Sequence, residues 1–132
     1  MRVFLDTNVW VSAFAARGVC EELLLRLLED GSVLTSPLVW EELTEVLTRK
    51  VLPSPVVWQR IRSLWCSAES VEDAPAERED NDSRLIAAAA AAGADLFVTG
   101  DKEVLARSHS GNMRIVSPRD AWLILYPPAA PH

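Results

Sequence analysis

Four acidic residues, far apart in the sequence, are predicted to meet at one edge of a sheet. Asp6 ends the apolar segment "VFLD", and Asp101 ends the apolar segment "LFVTGD". Both segments are typical of buried parallel strands, whose carboxyl ends share the sheet edge where ligands bind. The other two acids, Glu42 and Asp82, lie in predicted helices, so the turn of each helix indicates which way they face.

Glu42 is one of three glutamates in the helix predicted from "PLVWEELTEVLTRK". At about 100° per residue, Glu42 lies beside the apolar stripe that contains Leu43. Glu41 and Glu45 fall on the opposite, solvent side. Glu42 is therefore the glutamate of this helix that we expect to face the sheet edge.

Asp82 begins an alanine-rich helix, four residues before Ile86, and shares the inward face of that helix with Ile86. Helix capping offers a second interpretation of these acids. Asp80 or Asp82 could accept hydrogen bonds from the free N–H groups of the first turn, and Asp101 could do the same for "KEVL". Helix phase favours Asp82 over Asp80 as the acid that faces inward.

A cluster of four acids needs bound protons or a cation, because like charges within several ångströms oppose joint ionisation. Every candidate ligand is an oxygen atom, the donor that Mg²⁺ and Mn²⁺ prefer. Such a cation lowers the pKa of a bound water and neutralises the charge that builds on a phosphate. The pattern therefore predicts phosphoryl chemistry at an Mg²⁺ or Mn²⁺ site formed by Asp6, Glu42, Asp82 and Asp101.

Strand-like and helix-like segments alternate, which predicts an α/β fold: a three-layer α/β/α sandwich around a mostly parallel sheet. The expected strands are residues 2–5, 32–35, 69–72 and 114–116, with one more before Asp101. The expected helices are residues 9–16, 19–30, 37–50, 56–66 and 118–125, with the alanine-rich helix and a short one after Asp101. One domain is predicted over residues 1–126, with a disordered tail at 127–132.

Composition narrows the class of protein. The net charge is −6, which argues against a generally basic surface that coats nucleic acid. It does not exclude a nuclease, because acids gathered in one site lower the total. His109 and His132 are too few for zinc, and Cys20 and Cys66 are expected to be buried free thiols. With no signal peptide and no apolar stretch of about 20 residues, a soluble cytoplasmic protein is expected.

Four stretches of the chain resemble the PIN-domain family, in the family's order and at similar separations. They are "VFLDTNVWVSAF", "SPLVWEELTEVLTR", "DNDSRLIAAAAAAGADLFVTGDKEVL" and "RIVSPRDAWLIL". Each stretch is a weak signal alone, but together they cover nearly the whole chain. The resemblance is greatest to the toxin components of bacterial toxin–antitoxin pairs, the VapC-like toxins.

This resemblance implies a metal-dependent endoribonuclease that leaves a 3′-hydroxyl and a 5′-phosphate. It places the metal on the same four acids that strand ends and helix phase select. It adds Glu103 as a further acid, and Thr7, Asn8 and Thr99 as groups that orient a carboxylate or a water. Ser36 either shares that role or caps its helix. Asp80 remains the alternative to Asp82.

The implied partners are an RNA substrate, a small antitoxin that fills the acidic groove, and a second copy of the chain. A departure from the toxins lies after the helix of Glu42, where "VLPSPVVW" replaces a charged and aromatic stretch. The five tryptophans are interpreted as core or dimer-interface residues rather than as stacking platforms for RNA bases. A basic concentration at Arg49, Lys50, Arg60 and Arg62 is either a solvated face or a contact for the phosphate backbone.

Two other functions compete with the nuclease. A PIN-like module could bind a partner with little or no activity, although clustered charges without a use cost stability. A phosphatase of the haloacid-dehalogenase type would use Asp6 as a covalent nucleophile. Such enzymes typically have a second aspartate two residues on, where this chain has Asn8.

Overall fold

Short apolar segments form the strands of a central sheet in the computed structural model, which describes residues 1–129. Within these residues there are six strands: β1 (Val3–Leu5), β2 (Val33–Thr35), β3 (Glu69–Ser70), β4 (Leu96–Val98), β5 (His109–Ser110) and β6 (Met113–Val116). Every residue of β1, β2 and β4 is buried. Strands buried on both faces require helices on both sides, as the α/β prediction expects.

The order of the strands across the sheet is β3-β2-β1-β4-β6-β5. Neighbouring strands are parallel except β5 and β6, which are antiparallel. The chain builds outward from β1 to β3, then returns to the other side of β1 to add β4. Such a reversal opens a crevice beyond the carboxyl ends of the strands, where open α/β sheets bind ligands.

Six α-helices lie between the strands within the described residues, and a seventh follows β6. They are α1 (Thr7–Ala15), α2 (Val19–Glu29), α3 (Pro37–Val46), α4 (Pro55–Cys66), α5 (Asn81–Ala91), α6 (Lys102–Leu105) and α7 (Pro118–Leu125). Proline stands in the first turn of α3, α4 and α7, where its fixed φ suits a helix and its missing N–H costs nothing. The predicted α/β class with a mostly parallel sheet is confirmed.

Several boundaries differ from the sequence prediction. Helix α1 begins at Thr7 rather than residue 9, because Asp6 caps it directly. Helix α3 does not continue regularly to residue 50: it widens into a π-helical segment, Leu47–Val51, which ends at Leu52 in a left-handed conformation (φ 52°). The segment around His109, expected to be a loop, contains β5, which pairs with β6 across a two-residue turn at Gly111 and Asn112.

The two cysteines are free, as expected, but the prediction that both are buried is wrong. Cys20 is half-buried and Cys66 is exposed. Cys66 is the last residue of α4, and the core-facing side of that helix is occupied by Ile61 and Trp65. The thiol of Cys66 therefore faces solvent.

An aromatic cluster joins three helices beside the sheet. The ring of Trp65 in α4 lies 4.9 Å, between centroids, from both Trp10 in α1 and Trp40 in α3. Trp10 is completely buried, while Trp58 and Trp122 are partly buried against the core. The tryptophans therefore have the packing role that the sequence suggested, and their place in a dimer interface remains a prediction.

The described part of the predicted tail, residues 127–129, has no regular secondary structure, and 130–132 lie outside the described residues. Among residues 1–129, none of the helices has the length and apolarity needed to span a membrane.

Candidate functional site

Asp6 lies at the carboxyl end of β1, in the crevice where the strand order reverses. Its side chain is only 4% exposed. Oδ1 accepts a hydrogen bond from the backbone N–H of Thr7 (2.7 Å), which caps α1. Oδ2 accepts hydrogen bonds from Thr99 Oγ1 (2.8 Å) and Asn8 Nδ2 (3.1 Å). The carboxylate is thus held in one position by three donors.

The hydroxyl of Thr99 connects the ends of β1 and β4. It donates to Asp6 and accepts hydrogen bonds from Asn8 Nδ2 (3.2 Å) and the backbone N–H of Asp101 (3.1 Å). A hydroxyl has one donor and two acceptor positions, so all of them are used. Asn8 Oδ1 in turn accepts from the backbone N–H of Gly100 (2.8 Å). Thr99 and Asn8 therefore place Asp101 relative to Asp6.

Glu42 faces the same crevice from α3. It is half-buried, whereas Glu41 and Glu45 are exposed, as helix phase predicts. Glu42 Oε1 accepts a hydrogen bond from Thr7 Oγ1 (2.7 Å), and Oε2 accepts one from Asn81 Nδ2 (3.2 Å). Thr7 thus touches Asp6 through its backbone and Glu42 through its side chain.

Asp80 and Asp82 have different surroundings. Asp80 is exposed and caps α5, accepting hydrogen bonds from the backbone N–H and the hydroxyl of Ser83, both at 2.9 Å. These bonds lower the pKa of Asp80. Asp82 is half-buried and makes no side-chain hydrogen bond among residues 1–129, while the charges of Asp101 and Glu42 act on it. Asp80 performs the capping, and Asp82 is the acid that faces the others.

Asp101 caps the following helix, and its charge also acts on Asp82. Its Oδ1 caps α6, accepting from the backbone N–H groups of Glu103 (2.8 Å) and Val104 (3.4 Å). Its charge also reaches Asp82. The side chain of Glu103 is exposed and makes no hydrogen bond or ion pair within the described residues.

The electrostatics of the site reflect burial and crowding of like charges. Burial raises the pKa of Asp6 to about 6, against the lowering effect of the bonds from Thr99 and Thr7, and the charges of Asp82 and Glu42 raise it further. Burial, followed by the charge of Asp101, also raises the pKa of Asp82. These carboxylates are therefore harder to ionise than isolated ones, and a nearby cation would favour their charged forms.

Comparison with known proteins identifies the family. A sequence model described as "PIN domain" matches residues 2–103, a span that contains all four acids. The chain belongs to the PIN-domain family. Members of this family are typically nucleases that depend on a divalent metal and act on RNA. None of the curated proteins matches the chain.

A solved structure shows the same fold. The PIN domain superposes on the crystal structure of PAE2754 from Pyrobaculum aerophilum with a TM-score of 0.68. The sequences are 13% identical, and the match covers 95% of this chain and 89% of the other. At this identity the likeness supports the arrangement of strands and helices and assigns no role to any residue.

The donors of this PIN domain suit a hard divalent cation. The four acids offer oxygen ligands only, and Asp6 and Asp82 have raised pKa values that a cation would offset. Within residues 1–129, however, no three His, Cys, Asp or Glu side chains are gathered closely enough to hold a metal ion. The acids lie at one edge of the sheet, and their charges act on one another. Glu42 and Asp101, like Asp6, also accept hydrogen bonds from the protein.

Ser36 stands at the N-cap position of α3, as predicted, but its hydroxyl makes no capping hydrogen bond. The hydroxyls of Ser36 and its neighbour Thr35 are completely buried and have no partner among the described residues. Sequence reasoning missed Asn81, whose amide holds Glu42. In the sequence, an asparagine before Asp82 indicates only the start of a helix. Its contact with Glu42 depends on the packing of α5 beside α3.

Proposed function

We propose that this PIN domain is a divalent-metal-dependent endoribonuclease. The observation that carries the proposal is Asp6: a buried carboxylate held by three donors at the switch point of the sheet, with Asp82 and Glu42 near enough for their charges to raise its pKa. Burying such a group without a use is costly. Holding a cation that acts on a phosphodiester is a use that justifies burying this carboxylate.

The proposed ligands are Asp6, Glu42, Asp82 and Asp101. When bound there, Mg²⁺ or Mn²⁺ supplies an activated water and neutralises charge on the phosphate. Asp6 anchors the set, since Thr99 and Asn8 prevent its carboxylate from turning. Thr7 keeps Glu42 at a fixed distance from Asp6. In this scheme Ser36, whose buried hydroxyl has no partner among residues 1–129, is a candidate to position a water or a carboxylate.

The contacts of Asp6 support a metal-holding role rather than attack on phosphorus. Residue 8 is an asparagine, and its amide donates a hydrogen bond to Oδ2 of Asp6. An aspartate at position 8, as in haloacid-dehalogenase-type phosphatases, could not donate when ionised. The expected products are a 3′-hydroxyl and a 5′-phosphate.

We further infer, from the resemblance to VapC-like toxins, that this nuclease is the toxin of a toxin–antitoxin pair. Its partners would be cytoplasmic RNA, a small antitoxin that fills the acidic crevice, and a second copy of the chain. Two free thiols fit the reducing compartment in which RNA is found. A short upstream reading frame that encodes a DNA-binding N-terminus would strengthen this assignment.

An RNA-cleavage assay with added Mg²⁺ or Mn²⁺ tests the nuclease. Asp6→Asn should reduce the rate at least about 100-fold, because loss of groups that only orient a metal ligand already costs about 10–100-fold. Glu42→Gln should cause a comparable loss, and the adjacent exposed control Glu41→Gln should stay within about twofold of wild type. Equal cleavage by wild type and Asp6→Asn, or cleavage that a chelator leaves unchanged, would contradict the proposal and favour a partner-binding module.

A further inference from the structure

A groove with a volume of about 520 Å³ lies beside the acidic crevice, between α5, the loop before it and strands β5 and β6. It starts at Ser83, the residue after Asp82. The α5 wall is apolar, with Ile86, Ala87 and Ala90. Arg107 also lines the groove, together with Glu77 and His109, and it brings a positive charge beside the acidic crevice.

The guanidinium of Arg107 is anchored at the mouth of this groove. Nη1 donates a hydrogen bond to Ser83 Oγ (3.2 Å), and Nη2 lies 4.0 Å from Asp80 Oδ1. Ser83 Oγ itself donates to Asp80, so the three groups form a chain. Asp80 and Ser83 stand on either side of Asp82 in the sequence, so Arg107 lies beside the acidic crevice.

Most of the binding capacity of Arg107 remains unused. A guanidinium has five N–H donors, and one hydrogen bond is made among residues 1–129. The ion pair with Asp80 is long and exposed, and such pairs are weak. The planar fork of an arginine suits two oxygens of a phosphate.

We propose that Arg107 binds the RNA phosphate next to the one that is cut, with the attached nucleoside against the apolar α5 wall. This inference rests on the proposed nuclease function. A polyanion approaching a protein of net charge −6 meets repulsion, and one fixed cation beside the acids offsets it and sets the path of the strand. Single-stranded RNA fits, since its phosphate and base can separate in this way.

A bracing role for Arg107 toward the cap of α5 is the alternative, and salt dependence separates the two. The binding assay uses a fluorescein-labelled 12-nucleotide single-stranded RNA with full-length Asp6→Asn protein in Mg²⁺, read by fluorescence anisotropy over a range of KCl. Adding Arg107→Gln should weaken binding about tenfold, the effect of losing a charged hydrogen bond. It should also flatten the slope of log affinity against log salt by about 0.7, one phosphate contact on a single strand.

Two variants serve as controls. Arg107→Lys should keep the salt slope and recover part of the affinity, because it retains the charge and loses the fork. Arg84→Gln removes an exposed arginine that pairs with Asp73 at 4.0 Å, and it should leave both quantities unchanged. In a separate cleavage assay with Asp6 intact, Arg107→Gln should raise KM more than it lowers kcat.

The outcomes distinguish this inference from the proposed function. Wild type that does not cleave RNA in any divalent metal overturns the nuclease, while the anisotropy still reports on Arg107. If Arg107→Gln lowers the thermal stability but matches its parent in affinity and salt slope, Arg107 is a brace and the inference is wrong. An Asp6→Asn protein that binds no RNA overturns it too.

Discussion

Asp6 and Asp82 are carboxylates at the same edge of one sheet, yet their surroundings differ. Asp6 is 4% exposed and accepts hydrogen bonds from Thr7, Asn8 and Thr99. Asp82 is half-buried and has no side-chain hydrogen bond within the described residues. Asp6 is thus held by a hydrogen-bond network that joins β1 to β4, while the position of Asp82 depends on the phase of α5.

This difference indicates that Asp6 and Asp82 have different roles in the proposed cation site. A carboxylate fixed by three donors keeps its place whether or not a cation is present, since each donor would lose its partner if the group turned. A carboxylate without partners is free to rotate toward a ligand. We therefore expect Asp6 to define where the cation sits, and Asp82 to complete the set when the cation arrives.

The largest effect on cleavage by a residue of the helix side is expected for Asp82, with Asp80 as the comparison. Asp82→Asn should reduce cleavage about 100-fold or more, beyond the cost of losing a supporting group. Its melting temperature in chelator should stay level or rise, because burial and the charge of Asp101 already disfavour the ionised form. Asp80→Ala should do the opposite, lowering the melting temperature through loss of the cap while keeping most of the activity. The reverse pattern would assign the ligand to Asp80.

On the strand side, Thr99→Val should lower cleavage about 10–100-fold by releasing Asp6. It should also lower the free energy of unfolding by about 1–3 kcal/mol, because Asn8 and Asp101 lose an acceptor. Thr35→Val is the matched control, since Thr35 is equally buried and its hydroxyl has no partner among residues 1–129. Urea unfolding should give Thr35→Val at least wild-type stability. Equal losses in both variants would mean that the Thr99 network is ordinary packing.

The last prediction concerns stability rather than cleavage: a pH dependence of the free energy of unfolding that comes from Asp6. The folded protein holds this proton up to about pH 6, whereas the unfolded carboxyl titrates near its ordinary 3.8. The contribution of protonated Asp6 to the free energy of unfolding is therefore complete below about pH 4 and decreases as the pH rises to about 6. It totals about 2–3 kcal/mol. Unfolding of wild type and Asp6→Asn in chelator should diverge over this window. Parallel curves would mean that Asp6 ionises as easily as an exposed acid.

Much of the site could be predicted because its signals are local. A strand end and a helix face are properties of a few adjacent residues, and they are sufficient to select Asp6 and Glu42. The same holds for Pro37 at the start of α3. Whether these acids bind a metal remains a prediction, since neither strand ends nor helix phase determine how closely side chains approach.

The features that were missed depend on strand pairing and packing, which hydrophobic periodicity does not report. Strand β5 has two residues and exists through pairing with β6. Its one local signal is the Gly-Asn pair at 111–112, where Gly111 has a positive φ of 58°, as two-residue hairpin turns require. The contact of Arg107 with Ser83 spans 24 residues. No periodicity reports such contacts, because they follow from how α5 and the segment after α6 pack together.

The bond between Thr99 and Asp6 has a consequence for synthesis of the chain. Its two residues are 93 positions apart, and β1 also needs β4 as a neighbour. At about 5–20 residues per second, Asp6 is synthesised roughly 5–20 seconds before its hydroxyl donor. Throughout that interval the acidic site is incomplete. The order of the strands thus delays assembly of the site until β4 has been translated.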